Sequence, residues 1–212
     1  MEWPIFATLP GEDVQAVLAV ARKRTFSKGE VVFHRGDPGD SLHLVVSGRF
    51  AVRVMTPVAD VATLSIKTPG ESFGEMALVH PTSHRSATVA ALEPAETRAL
   101  AYSQFEAVRA KHPAIDRVLV ALLAQELRRA NELLLDALYV PAERRVLRRL
   151  LELGSPVALT QEELAQIAGT SRATVNRVLR DEEKRGTLTL DRGRTTVTDE
   201  DTLRKRARVA TQ

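Results

Sequence analysis

The chain of 212 residues contains no cysteine. That excludes disulfides, thiolate nucleophiles, cysteine-ligated iron–sulfur clusters and cysteine zinc sites. It fits a reducing compartment, and a cytoplasmic location is expected. Long apolar runs are also missing: each is short and interrupted by charge, so no membrane-spanning helix and no membrane partner are expected. The opening MEWPIFATLPGED lacks the basic-then-apolar order of a secretory signal. No Ser/His/Asp set or paired-carboxylate set stands out, so catalysis is not expected. His80 and His84 have a metal-like spacing, but Pro81 lies between them and no third ligand is near. They read as loop histidines, and no metal is expected. His34, His43 and His112 are scattered, and sequence alone leaves heme ligation by any of them open. Trp3, the single tryptophan, reads as a packing residue.

What is present is an ordinary globular balance, 44% hydrophobic and 27% charged, long enough for one large domain or two small ones. The net charge of +3 is unevenly spread. Residues 142–212 hold 15 Lys and Arg against 11 Asp and Glu, and the remainder is net −1. A basic C-terminal end suits a polyanionic partner, or is simply a basic surface.

Residues 10–23 predict a short helix, with acids in the first turn and Val14, Val17, Leu18 and Ala21 on one face. After Arg24 the period shortens. VVFHRG, LHLVVSGRFAVRV, VATLSI, Ser86–Ala91 and Glu96–Tyr102 are strand-like, divided by Gly- and Pro-containing turns. Close-spaced short strands predict an antiparallel barrel or jelly roll. A long helix then begins near Pro113, with Ile115, Leu119, Leu122, Leu123, Leu127, Ala130, Leu134 and Leu138 at steps of three and four. Such a stripe is a parallel homodimer seam, with Asn131 beside it to fix register, or packs on its own barrel. Tyr139-Val140-Pro141 breaks the helix and marks a hinge.

Beyond Ala142 the pattern is three helices and a hairpin. Thr160 with Glu163 forms a capping box, and Gly169 supplies the left-handed turn. QEELAQIAGTSRATVNRVLR, residues 161–180, has helix-turn-helix spacing, with Leu164, Ile167, Val175 and Val178 buried and Ala165 at the crossing. That leaves Thr170, Ser171, Arg172, Thr174, Asn176 and Arg177 at the exposed start of the third helix, the part that enters a major groove. Arg172 and Arg177 can fork onto guanine, and Gln161, Ser171 and Thr174 can reach phosphates. Arg192 and Arg194 would form a wing on the backbone. The alternative is a winged helix used for protein contacts. Arg204–Arg208 reads as a solvated helix end or a phosphate-contacting arm.

A second constellation lies in PGESFGEMALVHPTSHRSATVAA. Backbone N–H groups at Gly74, Glu75, Met76 and Ala77 can meet anionic or hydroxyl groups. Arg85 offers a bidentate fork for phosphate, Ser86 a hydroxyl, and Glu75 an acceptor for a ribose hydroxyl. A Glu75–Arg85 ion pair explains the same residues without a ligand.

With the roll, the F-G-E-M-A-L stretch, R-S-A at that spacing, the long helix and T-S-R-A-T-V-N-R together, the chain resembles the Crp–Fnr family of bacterial regulators from about Phe6 to Thr198. The resemblance implies an α+β fold: a cyclic-nucleotide-binding β-roll over 1–112, a dimerisation helix and hinge over 113–140, and a winged helix-turn-helix over 141–212. It implies that Gly74 and Glu75 hold the ribose of cyclic AMP, and Arg85 and Ser86 its phosphate. The family reads the purine with a Thr and a small polar residue; here those positions are Ala130 and Asn131, and the threonine is missing. Ala173 stands where the family often has a Glu, which alters the expected operator. Glu182 stands where an apolar residue is usual. The implied function is a homodimer that binds near-palindromic double-stranded DNA under cyclic AMP control. The rivals are the same dimer without nucleotide or with another signal, a sensor acting through protein contacts, and an enzyme. The short connection Gly154–Ala158 sits where the family often touches RNA polymerase, so such contacts, where made, lie elsewhere.

Overall fold

The computed structural model describes residues 3–7, 9–56, 61–79 and 83–208. They divide into two compact units, one of Met1–Met55 with Leu64–Ala130, the other of Thr56–Thr63 with Asn131–Gln212.

The first unit opens on a 3-10 turn, Pro4–Phe6, and helix α1, Gly11–Val20. The helix is shorter than 10–23, because Arg22 and Lys23 already pair in a strand. Eight strands follow: β1 (Arg22–Phe26), β2 (Val31–Phe33), β3 (Ser41–Ser47), β4 (Phe50–Met55), β5 (Val61–Lys67), β6 (Ser72–Phe73), β7 (Thr88–Ala91) and β8 (Ala95–Ala101). They form two four-stranded sheets, ordered β1-β8-β3-β6 and β2-β7-β4-β5. Between β6 and β7 lies the single-turn helix α2, Met76–Val79. After β8 come α3, Tyr102–Arg109, a 3-10 turn at Pro113–Ile115, and α4, Asp116–Tyr139. The sequence reading did not anticipate α3, which presents only Phe105 and Val108 to the core. Gln104 starts it by accepting the Ala101 N–H at 3.2 Å.

Two cores result. Phe26, Val45, Phe50, Phe73, Val89, Ala91 and Ala95 fill the inside of the roll. Outside it, Leu42, Leu44 and Leu100 of the first sheet pack against Trp3, Val17, Phe105, Ile115, Val118 and Leu122. Trp3 is a packing residue whose indole N–H donates to the Val45 carbonyl at 3.3 Å.

The leucine stripe of α4 is split. Ile115 and Leu122 are buried against the outer face of their own roll, with Leu119 packed beside them, so these three are not part of an open seam. Leu123, Leu127, Leu134 and Leu138 are exposed, Leu127 and Leu138 each at 64%.

The second unit holds α5 (Ala142–Leu153), α6 (Gln161–Ala168), α7 (Arg172–Lys184), the hairpin of β9 (Leu188–Asp191) and β10 (Arg194–Val197), and α8 (Glu200–Ala207). Leu164, Ala165, Val175 and Val178 are buried as the motif requires, and Ile167 is half-buried. The α+β class, the roll, the long helix and the winged helix-turn-helix are all present.

His43 of β3 lies inside the roll, stacked on Phe73 at 5.0 Å and 5°. Burial, then the charges of Arg85 and Arg24, push its pKa down to about 3, so the folded protein holds it neutral. The unfolded chain protonates it near 6.5. Stability is therefore complete above about pH 6.5 and falls as pH drops toward 3. Denaturant unfolding at pH 7.5 and pH 5 should show this group's loss as about 2 kcal/mol. His43→Gln should remove that part of the difference; an unchanged pH dependence would contradict the assignment.

Candidate functional site

The turn between β6 and α2 brings the ligand constellation together. Gly74 has φ +82°, and a side chain there would sit 2.6 Å from Nη1 of Arg85. Only glycine leaves room for that guanidinium. Arg85 is itself placed by the chain: its N–H donates to the Asp37 carbonyl, and its carbonyl accepts from Gly36. The side chain is buried under the ring of Phe33, with Cζ 3.9 Å from the ring centroid. Burial lowers its pKa, and the Asp40 charge works against that.

The Glu75–Arg85 ion pair considered from sequence is absent among the described residues. Arg85 pairs instead with Asp40 at 2.8 Å. Burial pushes the Glu75 carboxyl above the usual carboxylate range, and the nearby Glu126 charge adds to this. Glu126 of α4 is ion-paired with buried Lys67 of β5. Arg129, on the same helix, pairs with Glu71 at 2.9 Å. The Ala77 N–H is not free for a ligand, because it donates to the Gly74 carbonyl at 3.1 Å. Met76 and Ser86 are exposed, Ala77 is buried, and Asn131 is exposed on α4.

Asp40, Ser41, Lys67 and Glu126 were missed from sequence. Asp40 follows the turn Gly36-Asp37-Pro38-Gly39 and carries no local signal of its own, and Lys67 and Glu126 are 59 residues apart. Among the described residues no group of His, Asp and Glu could hold a metal; His80 lies outside them. His43 is bonded to Thr97 and His112 to Asp13.

In the second unit the helix-turn-helix is built by local rules. Thr160 caps α6 by accepting the Glu163 N–H, Gly169 takes φ +59°, and Ser171 caps α7 by accepting the Thr174 N–H at 3.2 Å. Thr170 closes the turn with its N–H on Ala165. Arg172, Asn176 and Arg177 are exposed. Gln161 donates to Asn176 at 3.3 Å, and Arg177 is paired with Glu143 at 2.7 Å. Gln161, Arg172, Arg192 and Arg194 line one cleft of about 360 Å³ between the helices and the hairpin.

Arg145 went unread, and Glu182 was noted as a departure without its partner. Arg145 donates to the carbonyls of Val140, Ala168 and Gly169 at 2.8–2.9 Å, satisfying carbonyls at two helix ends at once. Glu182 is 1% exposed and accepts from Arg206 at 2.8 Å, Arg185 at 3.3 Å and Thr187 at 2.9 Å. Its buried charge is therefore met from α8, which accounts for a carboxylate in an apolar position. The basic tail is accordingly not a merely solvated end: Arg206 holds Glu182, and Arg204 pairs with Glu200.

Residues 23–112 match the model of the cyclic nucleotide-binding domain, and residues 144–206 that of the Crp-like helix-turn-helix domain. The chain is 32% identical over 216 residues to a CRP-like cAMP-activated global transcriptional regulator of Mycobacterium tuberculosis, covering 93% of this chain and 95% of the relative. It belongs to the Crp–Fnr family. Another member, the cyclic AMP receptor protein of Thermus thermophilus, is 37% identical over 196 residues, covering 90% of each chain. The crystal structure of the Thermus thermophilus catabolite activator protein matches with a TM-score of 0.57 and 34% identity, over 96% of this chain and 98% of that one. Family membership makes the chain a DNA-binding transcription regulator with a cyclic nucleotide-binding domain, not an enzyme. No described helix is long and apolar enough to cross a membrane.

Removing the Glu182 carboxylate takes their acceptor from Arg206 and Arg185, while the Thr187 hydroxyl keeps the Glu182 carbonyl. Glu182→Ala should lower the unfolding free energy by about 3 kcal/mol. Arg206→Ala should be less than additive with it in a double-mutant cycle; additive losses would show that the pair does not act as one.

Proposed function

We propose that the chain is a homodimeric transcription regulator switched by cyclic AMP. The observation that carries this is the Arg85 guanidinium, buried under Phe33 with its Nε unpartnered and its place kept open by Gly74. A buried cation beside a side-chain-free turn is a seat for an anion. Arg85 and Ser86 would hold the cyclic phosphate. Glu75 would accept from the ribose hydroxyl, supported by Gly74 and Met76 around it, and Asn131 would meet the purine. The relatives' description as cAMP-activated supports this ligand. Exposed Leu123, Leu127, Leu134 and Leu138 on α4 support a parallel homodimer, since such a row is stable in water only when covered. We divide the chain by role into 1–112 for sensing, 113–140 for dimerisation and hinge, and 141–212 for DNA, and assign it to the cytoplasm.

Ligand binding would favour the dimer arrangement in which two α7 helices lie one helical turn apart on a near-palindromic site. Arg172 and Arg177 would read bases. Thr170, Ser171, Thr174, Asn176, Gln161 and Arg192 would hold the backbone or flank the read bases. A nucleotide-free regulator is the second reading, favoured by the pairing of Arg85 with Asp40.

Calorimetric titration of the nucleotide-stripped protein with cyclic AMP should show micromolar-range binding that Arg85→Ala abolishes. No heat in the unaltered protein would favour the nucleotide-free reading. For DNA, Arg172→Ala should cost about 1–3 kcal/mol and relax base preference at one operator position. A footprint and affinity unchanged by that substitution would remove Arg172 from the reading set.

A further inference from the structure

A guanidinium carries five N–H groups. In Arg85 the four terminal ones are committed. Nη1 donates to the Ser41 carbonyl at 2.8 Å and, longer, to the Gly74 carbonyl at 3.4 Å. Nη2 donates to the Asp40 carboxylate at 2.8 Å and the Ser41 hydroxyl at 3.2 Å. The fifth, on Nε, is buried without a partner among the described residues. An arriving anion meets no free terminal N–H, so one acceptor must leave.

The acceptors differ in how easily they can go. Two are backbone carbonyls, one on β3 and one on the turn before α2. The Ser41 hydroxyl donates to Asp40 at 2.8 Å and lies 3.3 Å from Nε2 of buried His43. Only Asp40 carries charge, and its side chain is 82% exposed against 4% for Arg85. The Asp40 backbone is pinned, its carbonyl accepting from Tyr102 at 2.9 Å. The carboxylate can therefore swing into water without moving the loop.

Resting on the cyclic-nucleotide reading of this pocket, we infer that Asp40 is a built-in counter-anion that the ligand's phosphodiester must displace from Arg85. A carboxylate and a phosphodiester each bring one negative charge and oxygens that match the guanidinium fork. A neutral nucleoside offers no such exchange. Where Asp40 leaves Arg85 about one-tenth of the time, apparent affinity falls about tenfold. Asp40 thus sets both the affinity of the site and its demand for a charged ligand.

The test is calorimetry on the nucleotide-stripped full-length protein, Asp40→Ala and Asp40→Asn, titrated with cyclic AMP and with adenosine as the neutral control. Asp40→Ala should bind cyclic AMP about tenfold tighter. Asp40→Asn, which keeps an acceptor but not the charge, should fall between. Adenosine should bind to none. Binding seen only in the variants also supports the inference. Thermal unfolding without nucleotide identifies the folded variants; should Asp40→Ala not fold, Asp40→Asn decides. Equal or weaker cyclic AMP binding by the folded variants overturns it. Absence of binding by all three proteins removes the cyclic-nucleotide reading itself, and this inference with it.

Discussion

Strand β3 is buried on both of its faces, and the first unit is arranged around that constraint. Leu42 and Leu44 point to the outer core with the helices, while His43 and Val45 point into the roll. A slip of one residue would exchange an imidazole for a leucine on each side, so the register is tightly specified. His43 is tolerated inside because both ring nitrogens are met, Nδ1 by Thr97 at 3.0 Å and Nε2 by Ser41 at 3.3 Å. With Ser41 donating to Asp40, the tautomer follows: Nε2 carries the proton and Nδ1 accepts from Thr97. The first residue of the strand is thereby held against Arg85. A packing rule inside the roll becomes a geometric rule at its mouth.

Much of this was legible because it is local. The capping box at Thr160, the left-handed Gly169 and the apolar spacing around Ala165 are properties of neighbouring residues, and they predicted the helix-turn-helix closely. The glycine at 74 and the arginine at 85 were placed in one constellation from their spacing, and the Arg85 guanidinium lies against the Gly74 backbone. What stayed hidden depends on long-range geometry. Nothing local marks Asp40 as the partner of Arg85, 45 residues on, or Lys67 as that of Glu126. The leucine stripe was one signal with two uses: periodicity shows which residues share a helix face, not which part of that face its own roll covers. Helix α3 was lost for the opposite reason, since two apolar residues are too few to establish a period.

The second unit shows how a sequence departure can be self-contained. Glu182 breaks the apolar pattern of α7, and the compensating cation is Arg206 of α8. Either residue alone looks like an error or a surface charge. Together they fasten α8 to the C-terminal end of α7.

Arg145 has a consequence of another kind. Its side chain spans from the residue after α4 to the residues that end α6, holding Val140 on one side and Ala168 and Gly169 on the other. A guanidinium is flat and rigid, with donors in fixed directions. The gap between those chain segments is therefore gauged by a planar spacer of fixed dimensions rather than by the length of a connecting loop. A lysine, with one small ammonium on a flexible stem, could touch any of the three oxygens but could not keep them in register. The spacing of these two ends is thus set at Arg145 itself and not by the loop that joins α5 to α6.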